Sequence, residues 1–287
     1  MSYDLYFTSP SISLEEFESY FSTNTLYEVN NGQAFYNNDV TGVYFSFNHE
    51  AGTEEDFDFN VEASFNLNFY RPHFFGLEAV IEVERFVSHF NCKIEDPQNE
   101  GMGNNAFTSK GFLKGWNAGN QFAVKAILNR SEQTPEINIM SSEKLDKVWR
   151  WNFSIADKNK TIEEDIFIPR IFFIKVNGMF GTGAVWPDAI PTFIPDVDFL
   201  TIPREENAPK KFLNQQVQDT CLLAKKDFPD FFSNYVIHDA EILAYKLPNP
   251  NTPQFIKKYV SQLSAFEGNI EAVQIDSVLN AELVNNN

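Results

Sequence analysis

Along Val61, Ala63, Phe65, Leu67 and Phe69, apolar residues alternate with Glu62, Ser64, Asn66, Asn68 and Tyr70. A β-strand sends successive side chains to opposite faces, so this stretch predicts a strand with one buried and one wet side. Tyr3 to Phe7 repeats the pattern over a shorter length, and Leu26 to Phe47 predicts two or three further strands broken by Asn30-Asn31-Gly32 and Asn37-Asn38-Asp39. Asn and Gly are the residues that tight hairpin turns accept. Ser13-Leu14-Glu15-Glu16 fits a capping box that opens a helix with Leu14, Phe17, Tyr20 and Phe21 on one face. After Arg71-Pro72 the period lengthens to about 3.6. Phe74, Leu77, Val80, Ile81, Val87 and Phe90 then line one side of a helix ending near Asn91.

In the next segment Gly111, Gly115 and Gly119 are four apart, which on a helix makes a smooth stripe. Each glycine costs a helix roughly 1 kcal/mol relative to alanine. The stripe therefore predicts close approach of another internal element. Arg130 to Lys147 is polar and reads as a linker region. Beyond it, Ile166 to Trp186 holds two apolar runs around Asn177-Gly178, a strong hairpin signal. Asp196 to Glu205, Cys221 to Ala224 and Ala240 to Tyr245 predict more strands, and Thr252-Pro253 predicts the cap and first turn of a helix. Ile270 to Leu279 fits strand or helix. The expected fold class is α+β, two units with mainly antiparallel sheets packed on helices. For the first, a split βαβ, ferredoxin-like arrangement is the nearest common example. The expected domains are an acidic α+β domain over 1–130, a linker region over 131–150 and a second α+β domain over 151–287.

Charge changes this picture more than composition does. The 287 residues carry a formal charge of −18, and Met1 to Ser109 alone holds 18 acidic side chains against Arg71, Arg85 and Lys93. Such a field repels phosphate backbones and attracts basic proteins, so the expectation is a protein partner and no nucleic acid. Glu54, Glu55, Asp56 and Asp58 form the densest cluster, without the glycine and closing glutamate of a calcium loop. Two cysteines, Cys92 and Cys221, stand in no metal-ligand spacing. The start carries Asp4 and Glu15 where a secretory signal needs a basic start and an apolar run, and no stretch has the length of a membrane span, so a cytoplasmic location is expected.

Val185 to Phe199, VWPDAIPTFIPDVDF, sets Asp188, Asp196 and Asp198 among three prolines. Proline has no amide hydrogen, so the segment is expected along a sheet edge. Asp196 and Asp198 would share a face if extended, a pairing that could serve a metal-dependent hydrolase, although no histidine lies nearby. Trp186 is instead a candidate interface anchor, as are Tyr44 and Tyr70. Gly178, Gly181 and Gly183 lack the following helix start that a phosphate loop requires. His73 and His89 are too far apart in sequence for one metal. Cys221 with His238 and Asp239 is a set from which a nucleophile and base could be built, but CLLA reads as core.

Taken together, MSYDLYF at the start and IPRIFFIKVNGMF with VWPDAIPTFIPDVDFLTIPRE in the second half resemble proteins of bacterial toxin and immunity systems, including those of type VI secretion. The resemblance implies a cytoplasmic, non-enzymatic immunity protein that binds one cognate toxin; an acidic surface suits a basic toxin, such as one that attacks nucleic acid, and no cofactor is expected. It supplies no functional residues. The partner-binding candidates Glu54, Glu55, Asp56, Asp58, Tyr44, Tyr70, Trp186, Asp188, Asp196 and Asp198 therefore rest on the residues themselves. A metal-dependent hydrolase using Asp188, Asp196 and Asp198, or an adaptor whose charge serves solubility, are the competing expectations.

Overall fold

The structure, a computed structural model, describes residues 1–8, 10–52, 61–103, 106–130, 136–211, 215–216, 218–239, 242–248 and 251–284. The chain divides into two compact units, Met1–Asp146 with Ile275–Asn287, and Lys147–Gln274. The pattern of elements places 151–287 in one domain, whereas Ile275–Asn287 belongs with the first unit.

The first unit runs β1 (Ser2–Thr8), α1 (Leu14–Ser22), β2 (Tyr27–Asn30), β3 (Gln33–Asn38), β4 (Val43–Gly52), β5 (Val61–Asn68), α2 (Phe74–Phe90), β6 (Lys93–Glu95), α3 (Ser109–Arg130) and β7 (Asn138–Met140). Six strands form one sheet in the order β2-β3-β4-β5-β1-β6, and every neighbouring pair is antiparallel. The α+β class with mainly antiparallel sheets is what the patterning predicts. The topology differs from a ferredoxin-like sheet, in which the first strand has a parallel neighbour, because β2 to β5 form a meander whose last strand docks beside β1.

Aromatic residues fill the space between the sheet and α1, α2 and α3. Phe86 of α2 lies 4.9 Å from Phe7 and 5.1 Å from Phe47, ring centre to ring centre, and Phe21 of α1 sits 5.0 Å from Phe47. Such pairs add roughly 0.5–1.5 kcal/mol each beyond their buried area. The capping box forms as expected: Ser13 Oγ accepts from the Glu16 amide at 3.2 Å, and Glu16 Oε2 accepts from the Ser13 amide at 2.9 Å. Helix α2 ends at Asn91, whose φ of 52° places it in the left-handed region.

Two glutamates of α2, Glu78 and Glu82, are buried against this sheet. Glu78 Oε1 accepts from Tyr36 Oη at 2.7 Å, Asn38 Nδ2 at 2.7 Å and Thr41 Oγ1 at 3.0 Å. Tyr27 Oη donates to Glu82 at 3.1 Å. Burial, followed by the neighbouring carboxylates, pushes both tyrosine hydroxyls far above their ordinary value and keeps them as donors. A buried carboxylate is tolerated when its lone pairs are satisfied in this way.

The glycine stripe of α3 is an internal packing device. A Cβ on Gly115 would lie 2.5 Å from Tyr3 Oη, and one on Gly119 would lie 2.1 Å from the Phe69 ring. Helix and sheet can approach this closely where side chains are absent. Trp116, on the same helix, stacks 5.6 Å from Phe69 and donates from Nε1 to the His73 carbonyl at 2.9 Å.

Helix α4 (Ser142–Thr161) occupies part of the expected linker, and the division between units falls within it. It buries Leu145, Val148, Trp151 and Asn152 along one stripe of an otherwise charged sequence. The second unit continues with β8 (Phe172–Val176), β9 (Met179–Val185), β10 (Phe193–Pro195), β11 (Phe199–Arg204), β12 (Lys210–Lys211), β13 (Gln215–Gln216), β14 (Asp219–Ala224), β15 (Val236–Asp239), β16 (Ile242–Lys246), α5 (Gln254–Gln262) and β17 (Ile270–Ala272). The β8–β9 hairpin turns on Asn177 (φ 49°) and Gly178 (φ 83°), the positive values that a tight hairpin requires.

The larger sheet here runs β14-β11-β9-β8-β17, with β9 and β11 parallel, and a smaller one runs β10-β16-β15. Arg204, fully buried, forks onto Asp219 with contacts of 2.7 and 2.6 Å and donates to the carbonyls of Val260 and Leu263 at 2.7 and 2.9 Å. It thereby joins the sheet to the end of α5. Thr252 does not cap α5 as expected, because its hydroxyl donates to the Ala189 carbonyl at 2.6 Å.

The chain re-enters the first unit through β18 (Val278–Asn280) and α6 (Ala281–Val284). β18 pairs in parallel with β7. Asn280 reaches His73 and Ser142, His73 meets Asp146 at 2.6 Å, and Glu282 accepts from the Ser142 amide at 3.1 Å.

Replacing Gly119 by alanine is expected to destabilise the protein by about 1–2 kcal/mol, because overpacking against Phe69 outweighs the gain in helix propensity. Urea unfolding followed by tryptophan fluorescence measures it, and an unchanged or raised midpoint would contradict the packing role of the stripe.

Candidate protein-binding surface

The inner face of the six-stranded sheet is apolar, so the alternate residues stand on the outer face. The register places Gln33, Asn48, Ser64, Tyr6 and Glu95 in one row across five strands, and Phe35, Ser46, Asn66 and Asp4 in the next. Side-chain hydrogen bonds run along each row. Gln33 Nε2 donates to Asn48 Oδ1 at 3.1 Å, Asn48 Nδ2 donates to Ser64 Oγ at 3.4 Å, and Ser64 Oγ donates to Glu50 at 2.6 Å. Asp4 accepts from Asn66 on one oxygen and from Ser2 on the other at 2.9 Å.

Asp4, Glu28, Glu50, Glu62 and Glu95 all belong to this face. Among the described residues none of them is in a salt bridge. Lys93, opposite Thr8, stands at its edge. The asymmetry of the whole chain follows the same division: the first unit has 24 acidic and 8 basic side chains, net −16, and the second has 16 and 14, net −2. With strands about 4.8 Å apart and about 20 Å long, the face spans roughly 500 Å² in projection. That is most of the ~800 Å² each partner contributes to an ordinary complex.

At one end of the face lies Tyr44, half-buried, its ring 6.1 Å from the exposed Phe35. Its hydroxyl donates to Asp276 at 2.9 Å, and Arg71 reaches both Tyr44 and Asp276. Tyr70 is half-buried, and its hydroxyl is enclosed without a partner. Glu54, Glu55, Asp56 and Asp58 lie outside the described residues.

The candidates in the second unit are separately engaged. Trp186 is fully buried, donates from Nε1 to the Ile190 carbonyl at 3.0 Å and packs 5.7 Å from Phe232, so it is a core residue and not an exposed anchor. Asp196 pairs with Lys225 at 2.7 Å, while Asp198 Oδ2 accepts from the Thr182 amide at 2.8 Å and its hydroxyl at 2.9 Å. Asp188, itself left-handed at φ 44°, accepts from the amides of Glu205, Glu206 and Asn207 at 3.2, 2.8 and 3.0 Å. It lines a depression of ≈ 660 Å³ with Glu205, Asn207, Thr252 and Lys257.

The three aspartates thus do not converge. Among the described residues no three His, Cys, Asp or Glu side chains are placed to hold a metal ion. Cys221 belongs to β14 of the larger sheet and His238 to β15 of the smaller one. Burial raises the thiols of both cysteines, that of Cys92 to about 12, so neither is a thiolate at neutral pH. Gly181 packs against Asp198 and Gly183 against Ile174, inside a strand rather than around a phosphate.

Comparison with protein-family models, curated proteins and solved structures gives no match. No helix among the described residues is long and apolar enough to cross a membrane.

Burial works against ionisation of Asp188, but the amides of Asn207, Glu206 and Glu205 and the Asn207 side chain outweigh it and hold the carboxyl below the usual range. A depressed native value means that the stabilisation is present above the unfolded carboxylate value and is lost as pH falls through the native one. The stability difference between wild type and Asp188→Asn is therefore expected to be about 1 kcal/mol near neutral pH, after allowance for solvent screening, and to shrink in acid. Urea midpoints measured across pH test this, and a pH-independent difference would contradict it.

Proposed function

We propose that the protein is a non-enzymatic binding protein that neutralises a cognate basic toxin, with the outer face of the six-stranded sheet as the docking surface. The observation that carries the reading is a broad sheet face of carboxylates, amides and aromatic rings in which Asp4, Glu28, Glu50, Glu62 and Glu95 are in no salt bridge among the described residues. Charges left unpaired on an ordered surface favour a partner of opposite sign. Each exposed ion pair adds only about 0–1 kcal/mol, so affinity has to come from desolvated aromatic and amide contacts. The charge instead governs encounter, raising association toward ~10⁸–10⁹ M⁻¹s⁻¹ at low salt. Fast capture suits an inhibitor of a toxin of which one molecule is harmful. A cytoplasmic location, where the toxin would act, belongs to the same proposal.

The alternative of a hydrolase using Asp188, Asp196 and Asp198 has less support, since each carboxylate is already held by a different structural partner. The test takes the product of the gene adjacent to the one for this chain, which the proposal expects to be a basic protein. Cells expressing that protein are expected to survive only when this chain is co-expressed. In stopped-flow mixing, association is expected to slow roughly 10-fold or more from low to high salt, with dissociation changing less. Ser46→Lys, at the middle of the face, is expected to slow it likewise at low salt. Loss of neither protection nor association rate in the variant, or salt-insensitive association, would overturn the reading.

A further inference from the structure

We propose that His73 is the pin of a pH-sensitive latch: it holds the C-terminal strap, Ile275 to Val284, on the first unit while its imidazole is neutral and loosens it when the ring takes a proton. The strap is anchored at several points. Ile275 packs against Gly42, Asp276 meets Arg71 and Tyr44, β18 lies parallel to β7, and Glu282 accepts from the Ser142 amide at the start of α4. Val278 and Leu279 are fully buried and Asn280 is 2% exposed, so the strap is seated in the protein rather than laid on it.

The central joint is Asn280, and each polar atom of its side chain is committed. Oδ1 accepts from the His73 amide at 3.0 Å, while Nδ2 donates to Ser142 Oγ at 2.7 Å and to His73 Nδ1 at 2.5 Å. Ser142 Oγ donates in turn to Glu282 Oε2 at 2.6 Å. Turning the Asn280 amide over would set Nδ2 against the His73 amide hydrogen, so the bond to Oδ1 fixes the direction of the other two. Nδ1 of the ring must therefore accept. Nε2, 2.6 Å from Asp146 Oδ1, must donate. Only the neutral imidazole with its proton on Nε2 meets both demands.

A second proton has to go on Nδ1, where it faces the N–H of the buried Asn280. Two donors then oppose each other, and water does not reach the site to relieve them. Among the described residues, the charged groups that face the ring from the elements packed around it are Asp146 on α4 and Glu282 on α6. Helix α3 presents the neutral Trp116, whose Nε1 donates to the His73 carbonyl, and β18 presents Asn280. Asp146 belongs to α4 and stays beside the ring whether or not the strap is seated, so it assists protonation in both states. Glu282 leaves with the strap, and its attraction to an imidazolium opposes release. Its side chain is exposed, however, and that attraction is screened, whereas the Asn280 contact is enclosed and decides the direction. Acid favours whichever state binds the extra proton more readily, which is the released one.

The experiment uses the full chain and reads amide hydrogen exchange at about pH 8 and about pH 6, a window in which histidine changes charge and ordinary carboxylates do not. After correction for the intrinsic exchange rate, protection of Val278 to Asn280 is expected to fall roughly 3- to 10-fold at the lower pH, the worth of about one hydrogen bond, while β1 and β5 keep theirs. His73→Gln, which takes no proton, should give equal strap protection at the two pH values, even where the strap is seated less firmly. Asn280→Asp, whose carboxylate accepts from an imidazolium, should reverse the direction and protect the strap more in acid. Nitrogen NMR of the imidazole at the higher pH should place the His73 proton on Nε2. Unchanged protection in the wild type, an equal fall in β1 and β5, or a fall that persists in His73→Gln or Asn280→Asp would overturn the proposal, as would a neutral ring protonated on Nδ1.

Discussion

A strand has two sides, and filling one of them with aromatic rings decides what the other must be. In the first unit Tyr3, Leu5, Phe7, Phe45, Phe47 and Phe65 are buried beneath α1, α2 and α3. Every residue between them is therefore carried to the opposite face. A slip of one residue in any strand would exchange the two sets, so the packing of the rings also fixes the register. The hydrogen-bonded rows of Gln, Asn, Ser and acidic side chains follow from that packing. Tyr3 and Phe69 add a further restriction, because their rings occupy the space that Gly115 and Gly119 leave on α3.

The two units handle charge differently. In the second, three aspartates complete structure: Asp219 neutralises the buried Arg204, Asp188 gathers a turn of backbone amides, and Asp198 ties β9 to the start of β11 through Thr182. In the first, Glu78 is likewise used internally, while Asp4, Glu28, Glu50 and Glu95 remain on the surface outside any salt bridge among the described residues. The concentration of negative charge in the first unit, net −16 against −2 in the second, supports a binding role for the first.

Much of the fold was legible because it rests on local rules. The alternation in Val61 to Phe69, the capping box at Ser13, the glycine spacing of α3 and the Asn177-Gly178 turn each specify geometry within a few residues. Helix α4 was not legible, because Leu145, Val148 and Trp151 lie scattered in a charged sequence that reads as linker. The return of the C-terminus to β7 pairs residues far apart in the chain, and nothing local specifies it. Trp186 resembled a surface anchor because residue type does not report burial, and Asp196 and Asp198 find different partners because they precede β11 instead of lying within it. The polar half of the outer face was visible strand by strand in Glu62, Ser64 and Asn66, but which strands flank one another is a matter of register and not of pattern.

The central claim is that a basic protein docks on the outer face of the six-stranded sheet. Hydrogen exchange cannot report side chains on strands already protected by pairing, so the direct measurement is cross-saturation NMR from the bound partner to this chain. The account predicts that saturation reaches Tyr6, Phe35, Ser46, Asn48 and Asn66. Saturation confined to the helical side of the first unit, or to the second unit, would contradict it.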